Sequence, residues 1–289
     1  MQLPISIIIV NYQKLPYSRL CAESILSSRP LPAQIVCIDN GSTDGTAEYF
    51  EEDFPGFAKG SGVSFTLVRN LSNAGACTAR NQGLEAASQP LVAFCDNDLV
   101  VRSRSWLQVL KDRLDMAPEN GIAGPKLLYP FEPYNIECAG VAISPGGRVQ
   151  YRGRGQAQEA AEFSRPCTVQ CLISACWLMK REITDTLGGL DEVFNPAQFE
   201  DFDLCYRARE NGWLVWYEPA AEMYHFENTS TAGSVDMKFK YTTIKNGLEF
   251  KKRWQHMFSR EGGPEDGECQ WENLETRPLQ RTGIPPLVG

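Results

Sequence analysis

Through the first hundred residues, short aliphatic and β-branched runs alternate with amphipathic stretches, the pattern of βαβ units around a mainly parallel sheet. Ser6-Ile7-Ile8-Ile9-Val10, Gln34-Ile35-Val36-Cys37-Ile38, Val63-Ser64-Phe65-Thr66-Leu67-Val68 and Leu91-Val92-Ala93-Phe94 read as strands. Helices are expected between them at about 17–28, 44–53 and 74–88. The second is opened by Ser42-Thr43-Asp44, whose oxygens suit an N-cap, and a longer helix is expected at about 103–116.

After Gly121 the pattern shifts to shorter strands punctuated by Gly and Pro: Ile122-Ala123-Gly124-Pro125, Val141-Ala142-Ile143 and Val169-Gln170-Cys171-Leu172-Ile173. The turn Ser144-Pro145-Gly146-Gly147 and the polar stretch from Gln156 to Arg165 read as exposed loops bordering an acceptor cleft. Helices return at about 180–187, 200–211 and 236–257. No linker divides this span, so residues 1–258 are expected to form one domain. Residues 259–289, rich in Gly, Pro and charge, read as a poorly ordered tail or a docking segment.

Composition narrows the partners. A formal net charge of −8 and a pI near 5.0 over 289 residues argue against nucleic acid, whose binding rests on neutralising phosphates with Lys and Arg. The ten cysteines lie scattered in apolar runs, as Cys37, Cys95, Cys171 and Cys176 do, which fits free buried thiols and a reducing cytoplasm rather than a disulfide framework. Cys167, Cys171 and Cys176 lack the spacing of a zinc or iron–sulfur run. The apolar run from Ile5 to Val10 is too short to cross a bilayer and lacks a signal peptide's basic flank.

The chemistry concentrates at predicted strand ends. Asp96-Asn97-Asp98 follows the run Leu91 to Phe94, and ligands bind at the carboxyl ends of strands in open α/β sheets. Two carboxylates there offer hard oxygens to a divalent cation that shares its shell with substrate phosphates, although a solvated turn has the same composition. Asp39-Asn40-Gly41-Ser42-Thr43-Asp44 follows the second strand, where a carboxylate can accept from an imide or ribose donor; a capped turn is the bland alternative. Arg80, on the helix before the Asp96 strand, offers a guanidinium fork to a diphosphate. Glu200, Asp201 and Asp203 open an amphipathic helix and project in different directions, so one can be a base while another supports the helix. His225, one of two histidines, closes a strand-like run.

In this order the segments resemble glycosyltransferase family 2, the inverting nucleotide-sugar transferases of GT-A fold. The resemblance spans roughly residues 4–256, counting the opening Ser6 to Tyr12, Val36 to Thr46, Asn73-Ala74-Gly75 with Ala79-Arg80-Asn81, Asp96-Asn97-Asp98, Glu200-Asp201-Phe202-Asp203-Leu204 and His225. The late His and the Lys245-Asn246 helix are most similar to bacterial rhamnosyltransferase-like and galactofuranosyltransferase-like members. The resemblance implies a Rossmann-like nucleotide-binding sheet with helices on both faces and a smaller acceptor-side mixed sheet.

By the same resemblance, the nucleotide of a UDP- or dTDP-sugar is met by Asn11, Asp39, Arg80, Asp96 and Asn97, with Asp39 on the uracil or thymine ring. Asp98 and His225, with Asp96, hold Mn²⁺ or Mg²⁺. Asp201 is the general base, and Glu200 shares the catalytic segment. Trp177 and Cys176 fall where the family shows smaller residues, so they read as lining the sugar or acceptor pocket; Trp213 and Trp216 are further candidate stacking faces, with core packing the commoner role. The acceptor is a saccharide, lipid-linked or peptide hydroxyl, with peripheral membrane association through it and a role in cell-surface polysaccharide or glycoconjugate synthesis. A sugar-1-phosphate nucleotidyltransferase is disfavoured because Val10-Asn11-Tyr12-Gln13-Lys14 has no glycine-rich phosphate loop. An inactive sugar-nucleotide-binding or scaffold protein of the same fold is the alternative from another class.

Overall fold

Ile5, Ile7 and Ile9 on one side of the first strand and Ile8 on the other are all buried, so both faces of the sheet are covered at its centre. This architecture comes from a computed structural model that describes residues 2–227, Thr229 and residues 237–288. The strands are β1 (Gln2–Asn11), β2 (Leu31–Asp39), β3 (Ser64–Arg69), β4 (Leu91–Asp96), β5 (Leu99–Val101), β6 (Asn120–Leu128), β7 (Ile136–Cys138), β8 (Val141–Ile143), β9 (Val149–Tyr151), β10 (Cys167–Thr168), β11 (Cys176–Lys180) and β12 (Leu214–His225). The helices are α1 (Leu15–Ile25), α2 (Thr46–Glu48), α3 (Phe54–Gly60), α4 (Ala76–Ala86), α5 (Trp106–Asp115), α6 (Arg181–Leu187), α7 (Glu200–Glu210), α8 (Met237–Phe258) and α9 (Leu279–Thr282).

The large sheet runs β10-β12-β6-β11-β4-β1-β2-β3, with β5 beside β12 and β7 beside β6. The β4-β1-β2-β3 half is parallel throughout, whereas β11 enters antiparallel between β4 and β6. The mixed pairing therefore lies inside the large sheet, and the small second sheet is the antiparallel pair β8-β9. Helix α4 packs close on β1 because Gly83 carries no side chain: a Cβ there would fall 2.3 Å from Ile8 Cγ2.

Two local expectations change. Val169–Ile173 is not a strand: Val169 N–H donates to Val215, and Cys171 exchanges bonds with Val141, so the segment bridges the two sheets one bond at a time. The strand forms later, at β11. The residue preceding α2 is Gly45, and Asp44 Oδ1 accepts from the Thr46 amide at 3.2 Å and its hydroxyl at 2.6 Å.

The turn before α7 is held from outside. Gln198 and Phe199 adopt φ of +84° and +72°, a left-handed backbone that costs a non-glycine residue about 1–2 kcal/mol. Asn246, buried on α8, clamps it by donating Nδ2 to the carbonyls of Phe194, Ala197 and Gln198 at 2.6, 2.9 and 3.1 Å. Asn195 ties the same loop to the start of α4 through Ala74 O at 2.7 Å, and Gly75 suits the position because its φ is +90° and a Cβ would also crowd the Asn195 side chain.

The C-terminal segment lies along the domain. Glu261 accepts from Gln170, Tyr206 and Arg209 at 2.9, 2.9 and 2.8 Å; Asp266 receives Gly146 N–H; Trp271 stacks under Arg154. Leu279 N–H reaches the Tyr17 hydroxyl and Val288 N–H reaches Arg102 O.

Two outcomes follow from these braces. Truncation after Gly267 keeps Glu261 but removes the Trp271, Leu279 and Val288 contacts, so it should lower the thermal midpoint less than truncation after Phe258, which also strips a partner from three part-buried donors at about 1–3 kcal/mol more; equal midpoints would contradict the anchoring role of Glu261. Asn246→Ala should cost a similar amount, about 1–3 kcal/mol in urea unfolding, by leaving three carbonyls without their donor. A loss below a few tenths would mean the turn does not depend on α8.

Candidate active site

Parallel pairing sets the site. Asn11 stands opposite Asp39 and Val10 opposite Asp96, so the carboxyl ends of β1, β2 and β4 form one edge. Asp39 is 1% exposed; its Oδ2 accepts the Ser42 amide at 3.2 Å, and its Oδ1 has no partner. The side-chain oxygen of Asn11 is likewise buried without a donor. Buried acceptors are nearly always satisfied, so these two are candidates to accept from a ligand's N–H or O–H groups. Asn40 braces the pocket wall, accepting from the Ala74 amide and donating to Asn73 Oδ1, both at 3.0 Å.

Pairing of β5 with β12 sets Leu99 opposite His225, and Phe226 N–H donates to Asp98 O. Ligand atoms of Asp96, Asp98 and His225 thereby come within 4.8 Å of one another. Two carboxylates and an imidazole at that separation fit Mn²⁺ or Mg²⁺ with positions left for phosphate oxygens. His225 Nε2 lies 3.2 Å from Asp98 Oδ1, and Nδ1 lies 2.9 Å from Glu137 Oε2. Burial disfavours the imidazolium, but Glu137 and Asp98 outweigh it and hold the pKa well above the ordinary value. Burial likewise opposes ionisation of Asp98, yet His225 keeps that carboxyl below its usual range.

Glu137 escaped sequence reading. It is a single acid between Ile136 and Cys138 in a three-residue buried strand, and that isolation is its only signal. Here it orients the histidine, as outer carboxylates do for metal-binding imidazoles.

Arg80 joins the acidic segments. It donates Nη2 to Asp96 Oδ1 at 2.6 Å and Nη1 to Glu200 Oε1 at 2.9 Å, with the guanidinium 5.8 Å from the Phe94 ring centre. The fork expected to face a diphosphate is thus turned toward protein carboxylates. Glu200 is pushed up to about 7 by burial and then by Asp201, and its Oε2 has no partner. Asp201 is raised chiefly by burial; its Oδ2 accepts the Ser174 amide at 3.0 Å and its Oδ1 the Phe202 amide at 2.9 Å. Asp203 is fully buried and bound by Trp254, Arg253 and Arg207, which makes it the helix's structural acid.

Three expectations meet a different placement. Asn97 turns inward and donates to Ser18 Oγ at 2.8 Å, because the chain reverses between β4 and β5. Trp177 is 0% exposed, opposite Phe94 in the sheet, and Cys176 lies opposite Cys95; as core residues of a central strand they offer no face to a sugar. Trp213 and Trp216 stack with Lys180 and Arg113 at the far end of β12, away from His225.

The sequence profile described as "Glycosyl transferase family 2" matches residues 6–188, well over half of the chain. An uncharacterised Sinorhizobium fredii protein, y4gI, is 31% identical over 87% of this chain, which spans 27% of that relative. N-acetylglucosaminyl-diphospho-decaprenol L-rhamnosyltransferase of Mycobacterium tuberculosis is 27% identical over 78% of this chain and 76% of its own length. The pre-mycofactocin glycosyltransferase of M. tuberculosis is 26% identical over 72% of this chain, which spans 40% of it. Among solved structures, GalNAc-T7 with UDP, GalNAc and Mn²⁺ superposes with a TM-score of 0.69 at 18% identity, over 88% of this chain and 48% of that one. With that profile, this sheet order and its acids at the strand ends, the chain belongs to glycosyl transferase family 2 and has a GT-A fold.

Proposed function

We propose that the chain is a metal-dependent inverting glycosyltransferase that moves a sugar from a UDP- or dTDP-sugar to a hydroxyl acceptor, at the cytoplasmic face of the membrane in cell-surface polysaccharide or glycoconjugate synthesis. The observation that supports this reading is the brace between Asp96 and Glu200 through Arg80, which ties the segment offered for the cation to the one that carries Asp201. Asp39, with its unpartnered oxygen, suits the imide N–H that uracil and thymine share. A lipid-linked acceptor is supported by the relative whose name carries a diphospho-decaprenol group.

The acceptor oxygen attacks the anomeric carbon from the side of Asp201, the bond to the diphosphate oxygen breaks, and the hydroxyl proton passes to the Asp201 carboxylate. Amides of Ser174 and Phe202 fix that carboxylate, while burial raises its basicity. Asp96, Asp98 and His225 would hold Mn²⁺ or Mg²⁺, whose charge stabilises the departing diphosphate. Arg80 acts as a positioning residue and Glu200 tunes its neighbour. A binding protein of the same fold has no use for two adjacent acids buried at the cost of stability, which favours the enzyme over the inactive alternative.

Asp201→Asn retains shape and loses basicity, so transfer measured across a panel of UDP- and dTDP-sugars should fall by about two to four powers of ten with donor binding intact. With Glu200 near 7, the wild-type kcat/KM profile should bend there, falling on the acid side as Glu200 becomes neutral and its bond to Arg80 weakens. Glu200→Gln, neutral at every pH, should lose that bend and stay at the reduced acid-side level, a loss well short of that in Asp201→Asn. Near-normal turnover in Asp201→Asn, with collapse in Glu200→Gln, would transfer the base role to Glu200.

For the cation, titration calorimetry with Mn²⁺ alone should show His225→Ala binding about tenfold or more weakly than wild type. Asn97→Ala, altered at an amide that faces Ser18, should bind normally. Equal losses in both variants would mean that the effect is general disturbance and remove His225 from the ligand set.

A further inference from the structure

Helix α8 presents two unlike faces. Asn246, Phe250, Trp254 and Phe258 are 1%, 1%, 5% and 0% exposed and pack into the domain. On the outer side Tyr241, Ile244 and Leu248 are 71%, 64% and 65% exposed, three large apolar side chains that no described element covers. At 100° per residue they fall in an arc of about 60°. Lys245 and Lys252 follow that arc on one flank, both exposed, and Lys240 lies exposed on the other. The acid at the margin, Glu249, is held 2.9 Å from Arg253 and 3.8 Å from Lys252, so the rim is left basic.

A lysine rim around an apolar stripe runs against the chain's net charge of −8. Its arrangement is that of an interfacial helix: aliphatic and tyrosine side chains enter the headgroup boundary while lysine stems reach anionic phosphates on either side. Charge complementarity selects the occupant, since a second copy of this chain would bring its own lysines against these. We propose that the outer face of α8 docks on an anionic lipid bilayer surface.

The position relates to chemistry. A Cβ on Gly247 would fall 3.1 Å from the Phe199 ring, and Asn246 clamps the turn that leads into Glu200 and Asp201. The helix that meets the lipid is thus the one bracing the base segment. This extends the lipid-linked acceptor reading, but its test requires neither donor nor acceptor, so the two fail separately.

The full chain is sedimented with vesicles of equimolar phosphatidylcholine and phosphatidylglycerol, and with phosphatidylcholine alone. It should partition onto the anionic vesicles, weakly or not at all onto the neutral ones, and come off with added salt. Ile244→Glu/Leu248→Glu and Lys245→Glu/Lys252→Glu should each reduce the partition coefficient by about tenfold or more at an unchanged thermal midpoint, because the positions are exposed. Absence of wild-type binding, or wild-type partition in the Ile244→Glu/Leu248→Glu variant, would overturn the proposal. So would a dimer in light scattering that the apolar double variant dissolves, since the stripe would then be a subunit interface.

Discussion

The site depends on one buried guanidinium. Arg80 is 6% exposed and divides its fork between Asp96, 16 positions away, and Glu200, 120 positions away. Burying an arginine is costly, and here three carboxylates, Asp96, Glu200 and Asp201, offset that cost and raise its pKa. The dependence is mutual, because removing one partner of a buried pair leaves an uncompensated charge at a cost of about 3–5 kcal/mol. Without Arg80, Asp96 and Glu200 would lose the cation that pairs them both. What is a guanidinium in sequence is, in the fold, the crosslink between two acidic segments.

A second brace repeats the logic with uncharged groups. The turn at Ser174 and Ala175 gives its amide to Asp201 and its carbonyl to the Asp96 amide, so these two acidic segments share one short piece of backbone just before β11. A chain of amides then continues outward: Asn40 to Gly75, Asn195 to Ala74, Ala76 to Pro196, and Asn246 to the 194–198 carbonyls. It connects the wall beside Asp39 to the turn before Glu200. Fixed hydrogen-bonding partners of this kind suit catalysis because they need no reorganisation when charge moves.

What could be read in advance follows from periodicity and strand ends. The four parallel strands announce themselves by aliphatic runs, and Asp39, Asp96 and Asp98 by standing where those runs stop, which is where crossover topology leaves a crevice. Direction is what a sequence does not carry. Asn97 sits between two site acids and points into α1; Trp177 resembles a sugar platform and is core because β11 inserts between β4 and β6, a pairing no local pattern encodes. Glu137, and the clamping role of Asn246, are not legible for the complementary reason: each acts through a partner far along the chain, His225 at 88 positions and the 194–198 carbonyls at about 50.

Satisfied and unsatisfied groups together outline the ligand. Asp203, Asp98 and Asp201 have hydrogen-bond partners on both oxygens, so their orientation is fixed by protein alone. Asn11 Oδ1, Asp39 Oδ1 and Glu200 Oε2 are buried acceptors without donors, two at the β1–β2 edge and one beside Asp201. A folded chain retains such oxygens at a cost of about 1–3 kcal/mol each, and a ligand that carries donors at both ends recovers it on binding. A nucleotide sugar has that form, an imide or ribose at one end and hydroxyls at the other. On the function proposed above, these acceptors would bear on register as well as affinity, since a donor shifted along the crevice would satisfy one end and strand the other.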